Sequence, residues 1–100
     1  MSKKISRIRQ AAFHTQGGLC WYCGRPMFTE IIPKSSTRRW LCTAEHLRPR
    51  SEGGADNQSN IRAVCLFCNQ TRHRMKQVLE PDVYRAYVRR RMAKGKWHPH

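Results

Sequence analysis

Apolar residues recur at helical intervals near both ends of this chain. Residues 3–16 carry one such pattern, formed by Ile5, Ile8, Ala12 and Phe13, and Gly17-Gly18 provides a helix stop. A second helix is predicted from Leu66 to about Leu79. Pro81 separates it from a third, over about residues 82–93, which has a mostly apolar face and four arginines around the rest. The apolar face consists of Tyr84, Tyr87, Val88 and Met92.

Two short apolar runs in the middle of the chain predict strands. They cover Trp40–Leu47 and Ile61–Cys65, and the residues between them are rich in turn formers, including Gly53-Gly54. The strands therefore form a hairpin with a long loop. Residues 26–39, with Pro33 and a Ser-Ser-Thr run, indicate an irregular loop.

A chain of 100 residues, 39% of them hydrophobic, is expected to form one domain with a small core. Such a domain needs an additional cross-link, such as a bound metal ion, to be stable. Two Cys-x-x-Cys pairs, Cys20/Cys23 and Cys65/Cys68, have the spacing of a closed tetrahedral zinc site. The fifth cysteine, Cys42, is expected to pack as a small apolar side chain. A zinc ribbon without chemistry is the simpler alternative, but the 41 residues between Cys23 and Cys65 exceed the usual ribbon interval.

The net charge of the chain indicates the kind of partner that it binds. Lys and Arg number 20 against six Asp and Glu, a formal charge of +14 that stays strongly positive when zinc ionises four thiolates. Such a domain is expected to bind DNA through phosphate contacts. No apolar stretch is long enough to span a bilayer and no lipidation signal occurs, so no membrane attachment is expected. Reduced cysteines and the lack of a signal-peptide pattern predict a cytoplasmic protein.

Four polar residues remain that suit a second, hydrolytic metal ion and a general base: Glu45, His46, Asn69 and His73. A helix places Asn69 and His73 one turn apart on the same face. Neighbours on a strand point to opposite sides, so one of Glu45 and His46 can face the ion and the other the attacking water. Carboxylate and amide oxygens favour Mg²⁺ or Mn²⁺.

Together these residues make a longer motif. It consists of Cys20-x-x-Cys23-Gly24, Cys42-Thr43-Ala44-Glu45-His46-Leu47-x-Pro49-Arg50-Ser51-x-Gly53-Gly54, Asn60-Ile61 and Cys65-x-x-Cys68-Asn69-x-x-Arg72-His73. Over about residues 18–76 the chain resembles HNH endonucleases, especially small bacterial and phage forms that carry the ββα-metal motif on a four-cysteine zinc site. The resemblance implies a small, zinc-stapled α+β domain of the ββα-metal (His-Me finger) type with flanking helices.

The resemblance also implies roles for individual residues. His46 is the general base, Asn60 holds the long loop and with it the base, and Asn69 is a metal ligand. His73 corresponds to an additional ligand found in some members one helical turn later. The residue before the base is commonly Asp or His in the family, whereas Glu45 stands here, so Glu45 is the least secure ligand.

Basic residues around this motif are expected to clamp phosphates on either side of a scissile bond; they are Arg48, Arg50, Arg72, Arg74 and Lys76, with Arg89–Arg91 extending the surface. Trp21, Tyr22 and Trp40 are expected in the core. His14, His98 and His100 lack partners at ligand spacing and are assigned to solvated or loop positions.

The resulting hypothesis is a metal-dependent DNA endonuclease with a structural zinc and a catalytic Mg²⁺ or Mn²⁺. One alternative is a zinc-dependent nucleic-acid-binding module of the same fold that does not cleave. A basic ribosome-associated zinc protein is a third class. The sequence leaves open the target preference and whether the protein acts as a monomer or a dimer.

Overall fold

A two-stranded antiparallel sheet and three helices make up an α+β fold in the computed structural model, which describes residues 2–30 and 35–98. The elements are α1 (Lys3–Thr15), β1 (Cys42–His46), β2 (Ile61–Cys65), α2 (Leu66–His73) and α3 (Pro81–Ala93), with 3₁₀ turns at Ser35–Trp40 and Arg50–Glu52. In the described part of the chain, no helix is long and apolar enough to cross a membrane.

Helix α1 begins and ends close to where the periodicity predicts. The hydroxyl of Ser2 caps it by accepting a hydrogen bond from the Ile5 amide at 3.1 Å. Ile5 is buried, and Phe13 packs against the core. Gly17 and Gly18 both have positive φ angles, 64° and 77°, so the chain leaves the helix through residues that tolerate the left-handed region.

The hairpin register sets which side chains share a face. Cys42 pairs with Cys65, and Glu45 pairs with Arg62. Because strand neighbours alternate, Thr43 and Glu45 lie on one face, the face on which their side chains bond to α2. Helix α1 packs against both strands.

The outer edge of β2 is closed by the segment that follows α1. The Gln16 side chain accepts from the Ala63 amide at 2.9 Å and donates to the Ala63 carbonyl at 2.8 Å. The Trp21 amide donates to the same carbonyl at 3.0 Å. These bonds satisfy main-chain groups that would otherwise be buried without partners.

Helix α2 is shorter than expected. It ends at His73, whereas the apolar pattern predicts a helix to about Leu79. The segment after α2 turns back over the helix end, where the Arg72 Nε donates to the Leu79 carbonyl at 3.0 Å.

Helix α3 begins at Pro81, one residue before the predicted start, and ends at Ala93 as predicted. Tyr84 and Val88 are fully buried, while Tyr87 and Met92 pack against the core, which confirms the predicted apolar face. The Tyr84 hydroxyl donates to the Cys68 carbonyl at 2.7 Å, so α3 is anchored beside the second cysteine pair.

The segment between the first cysteine pair and β1 is more regular than expected. Isolated bridges join Leu19 to Pro26 and Phe28 to Leu41, and a 3₁₀ turn precedes β1. The prediction of an irregular loop is therefore wrong for residues 35–39, which lie in this 3₁₀ turn, whereas residues 26–30 form no helix or strand. The centre of the segment, residues 31–34, lies outside the described residues.

Replacing Gln16 with alanine should destabilise the folded protein by about 1–3 kcal/mol, because the buried Ala63 amide loses its acceptor. Urea unfolding of the zinc-loaded protein measures this change. Gln58→Ala, at an exposed position, serves as the control and should change the free energy of unfolding little. Equal stabilities of the two variants would contradict the role of Gln16.

Candidate functional site

Four cysteine side chains converge where the turn that carries Cys20 and Cys23 meets the junction of β2 and α2. The ligand atoms of Cys20, Cys23, Cys65 and Cys68 all lie within 4.8 Å of one another, and each residue is buried. Cys65 ends β2, and Cys68 lies in the first turn of α2, so two residues of spacing bring both sulfurs to one point. The remaining cysteine, Cys42, is buried in the core as expected, and burial raises the pKa of its thiol to about 11.

The thiols interact too strongly for independent ionisation. Hydrogen bonds from the neighbouring thiols, first from Cys23, hold the pKa of Cys20 far below its usual value. The pKa values of Cys65 and Cys68 are raised, first by their hydrogen bonds with Cys20. A cluster in which one thiolate suppresses the ionisation of its neighbours needs a cation before all four sulfurs can be anionic. These residues therefore fit a structural metal such as zinc.

Two further side chains lie within hydrogen-bond distance of these sulfurs, and one of them, the Trp97 indole, can only donate. The Trp97 indole nitrogen lies 3.2 Å from the Cys68 Sγ, and the His98 Nε2 lies 3.2 Å from the Cys23 Sγ. His98 lies in a loop, as expected, but the expectation that it lacks partners is wrong, since its ring centre lies 4.1 Å from that of Trp40 and 5.0 Å from that of Phe67. Burial lowers the pKa of His98 to about 4, so the ring is neutral at pH 7. His14 is exposed, and His100 lies outside the described residues.

A second polar cluster lies between β1 and α2, around the buried carboxylate of Glu45. Its Oε2 accepts from the Tyr22 hydroxyl at 3.2 Å and from the Arg72 Nη1 at 3.3 Å. Its Oε1 lies 3.0 Å from the His73 Nε2. Burial, and then the charge of Glu45, raises the pKa of Tyr22, which keeps this hydroxyl protonated as a donor.

The expectation that Arg72 clamps a phosphate is wrong. Arg72 is only 5% exposed, and its guanidinium donates to Glu45 and to the Leu79 carbonyl. Its position in α2, one residue before His73, turns it toward the sheet. A buried carboxylate requires such a partner, because an unpaired charge in the interior is costly.

Asn69 stands one turn before His73 on α2 and contacts the same strand. Its amide nitrogen donates to the Thr43 hydroxyl at 3.0 Å, and that hydroxyl donates to the Val64 carbonyl at 2.8 Å. Because the hydroxyl proton is already used on Val64, Thr43 can only accept from Asn69. This arrangement fixes the amide orientation and directs the Asn69 Oδ1 away from the strand.

The oxygen and nitrogen atoms of Glu45, Asn69 and His73 are of the kinds that bind divalent cations. The Glu45 Oε1 and His73 Nε2 are 3.0 Å apart, close enough for both atoms to bind one ion. Arg72 and Tyr22 bind the other carboxylate oxygen, as partners outside a metal site commonly do. The His73 side chain is 49% exposed, so this side of the cluster is open to solvent.

His46 points away from this cluster, toward the long loop. Its Nε2 lies 2.7 Å from the Asp56 Oδ1, and Arg50 holds the same carboxylate through two nitrogens, each 3.0 Å from an oxygen. The hydrogen bonds from His46 and Arg50 lower the pKa of Asp56. An ionised carboxylate can only accept, so the His46 Nε2 carries the proton and its Nδ1 lone pair is free to take another.

Asn60 fastens the loop that carries Asp56. Its Oδ1 accepts from the Arg48 amide at 2.8 Å, and its Nδ2 donates to the carbonyls of Arg48 and Ala55 at 3.0 and 2.9 Å. The loop also needs Gly54, since a Cβ there would lie 1.7 Å from the Arg48 carbonyl oxygen. Asn60 therefore joins both sides of the loop beside His46.

Asp56 is the site residue that sequence reasoning missed. Its position in a loop rich in Gly, Asn and Ser is typical of a turn former.

The other four residues predicted to clamp phosphates, Arg48, Arg50, Arg74 and Lys76, are exposed. Of these, Arg50 already pairs with Asp56, which leaves three without an ion pair among the described residues.

Comparison with known families agrees with this geometry. The family model described as HNH endonuclease matches residues 20–75, more than half of the chain. The chain therefore belongs to the HNH endonuclease family, and its small α+β structure with a four-cysteine cluster is consistent with the ββα-metal fold. Family membership indicates a nuclease-type function with a metal site, and HNH domains typically bind nucleic acid. A comparison with curated proteins gave no match.

Elemental analysis of the purified protein should find about one zinc ion per chain. Cys65→Ser should lose the metal and the cooperative fold, because binding of a structural zinc contributes on the order of 10–16 kcal/mol to folding. Cys42→Ser, a change at another buried cysteine, should retain the zinc. Full zinc content in the Cys65 variant would refute the assignment.

Proposed function

We propose that this protein is a divalent-metal-dependent DNA endonuclease in which His46 activates the attacking water. The observation that carries the proposal is the pairing of the His46 Nε2 with Asp56 at 2.7 Å, which leaves Nδ1 as the basic nitrogen. His46 is 20% exposed in its side chain, so the ring is held in place and still reaches solvent. A base must have both properties.

The chain's own groups divide the work of hydrolysis. His46 Nδ1 takes the proton from water as the water oxygen attacks phosphorus. The bond between phosphorus and the leaving 3′-oxygen breaks, and that oxygen takes a proton from solvent. Asp56 stabilises the imidazolium that forms, through its bond with Nε2, and Arg50 keeps the Asp56 carboxylate in line. Asn60 prevents the loop from shifting during this step.

Glu45, Asn69 and His73 are the proposed ligands of the hydrolytic ion, Mg²⁺ or Mn²⁺. Such an ion would supply positive charge to the developing negative charge of the scissile phosphate. Glu45 and His73 are already adjacent, and Thr43 orients Asn69 through the bond between its hydroxyl and the amide. The exposed Arg48, Arg74 and Lys76 are proposed to hold the phosphates on either side of the scissile bond.

A non-catalytic nucleic-acid-binding module is the second candidate, and the Glu45–Arg72 ion pair favours it. Arg72 lies 3.3 Å from a Glu45 oxygen inside the protein, and its positive charge opposes a cation at the same carboxylate. Cleavage of supercoiled plasmid in Mg²⁺ or Mn²⁺ separates the two candidates. The assay must omit strong chelators, which would also remove a structural zinc.

His46→Ala should retain zinc, fold and DNA binding but cleave plasmid about 10²–10⁴-fold more slowly, because it removes the general base alone. His14→Ala changes an exposed histidine on α1 and should cleave at the wild-type rate. If both variants cut as fast as the wild type, the active site lies elsewhere.

Asp56→Asn should slow cleavage by about 10²-fold, because the imidazole loses its fixed orientation and tautomer. Nitrogen NMR shifts of His46 should show the proton on Nε2 in the wild type and a mixture of tautomers in the variant. Asp56→Glu should restore part of the rate. An unchanged tautomer with an unchanged rate would show that Asp56 does not orient the base.

A further inference from the structure

An aromatic and basic surface lies at the outer edge of β2, separate from the proposed catalytic cluster. It consists of Trp21, Arg62, Arg85 and Arg89, and is called here the Trp21 surface. Trp21 packs against the core, as expected, but the residue is only half-buried. Pockets of about 400 and 320 Å³ flank its ring, the first lined by Arg62 and the second by Arg85 and Arg89.

The three guanidinium groups are held in place by main-chain carbonyls. Arg85 Nε donates to the Trp21 carbonyl at 2.7 Å, and Arg89 donates to the carbonyls of Trp21 and Tyr22. Arg62 Nη1 donates to carbonyls at the end of the long loop, including that of Ser59 at 3.3 Å. Ordered side chains of this kind lose little freedom when they bind a ligand.

The Trp21 ring orders two of these groups further. The Arg85 Cζ lies 4.6 Å and the Arg62 Cζ 5.7 Å from its centre, both within cation–π distance. A guanidinium carries five N–H groups in its plane, so those not bonded to carbonyls remain available as donors. The ring face is engaged by arginines, which favours a phosphate as the ligand over a stacked base.

The cations of this surface are not neutralised by acidic groups of the described residues. Among the described residues, none of the three arginines forms an ion pair. Asp82 lines the pocket beside Arg85 and Arg89 without pairing with either of them. Burial, followed by the charges of Arg89 and Arg62, lowers the pKa of Arg85. An anion bound between them would relieve this repulsion.

We propose that the Trp21 surface binds the phosphate backbone of the DNA duplex next to the cleavage site, an inference that rests on the proposed function. The pairing of β1 with β2 indicates that the Trp21 surface adjoins the proposed site of the hydrolytic ion. Arg62 on β2 pairs directly with Glu45 on β1, so the surface begins one strand from the proposed ligands of the hydrolytic ion.

The test compares two charge-matched double variants in the zinc-loaded, cleavage-deficient His46→Ala protein. One carries Arg62→Gln with Arg85→Gln, and the other carries Lys4→Gln with Arg7→Gln, which are exposed on α1. Duplex affinity is measured across a range of salt concentrations. The first pair should reduce the salt dependence of log K by about 1.8, or 0.9 for each phosphate that the protein no longer neutralises. The α1 pair should leave the slope near that of the parent protein.

Equal slopes for the two double variants would overturn the proposal, and they would also be the result if the surface served an acidic protein partner instead. Because Arg85 also bonds the Trp21 carbonyl, zinc content and unfolding are checked first. Arg62→Gln alone avoids that contact and should reduce the slope by about 0.9.

Failure of the nuclease proposal is recognised separately. The same substitutions in the protein with His46 intact should raise KM for plasmid cleavage and leave kcat unchanged. A reduced salt slope without any wild-type cleavage would retain the binding surface and reject the enzyme. Cleavage by the wild type, together with equal salt slopes for the two double variants, would support the enzyme and reject the binding surface.

Discussion

The convergence of four buried sulfurs is the constraint on which the rest of this structure depends. β2 continues into α2 without a linker, and Cys65 and Cys68 lie on either side of that junction. Fixing these two sulfurs against Cys20 and Cys23 therefore fixes the angle between the sheet and α2. That angle brings Glu45 on β1 next to His73 on α2. In a chain with so small an apolar core, a metal ion held by these four sulfurs would contribute much of the free energy that maintains this geometry.

Arginine has two kinds of role in this protein. Arg72 is a structural residue, buried against Glu45 and bonded to the carbonyl that turns the chain after α2. Arg85 and Arg89 connect α3 to the first cysteine turn through carbonyl oxygens, while part of each guanidinium remains exposed. A net charge of +14 therefore overstates the number of groups available to DNA, because some of the cations also hold the fold together.

Glu45 and His46 are adjacent on β1 but have different surroundings, and the proposed chemistry depends on that difference. Glu45 is enclosed by hydrogen-bond donors between the sheet and α2, whereas His46 faces a loop and remains partly open to solvent. Strand alternation separates the two side chains at no cost in backbone strain. The loop is ordered by Asn60 and Asp56, so the imidazole is oriented without being buried. A general base needs both orientation and access to water.

Local patterns in the sequence determined much of the secondary structure of this protein and the position of its cysteine cluster. Apolar periodicity predicted α1, β2 and α3 to within about one residue, and cysteine spacing predicted the metal cluster, since both signals arise from neighbours in sequence. Tertiary structure alone decided the end of α2, the burial of Arg72, and the positions of Asp56 and His98. Each depends on a contact outside regular secondary structure, from Leu79, seven residues after Arg72, to Cys23, 75 residues before His98. Periodicity and spacing carry no information about such contacts, because they are set by how the helices and the loop pack around the sheet.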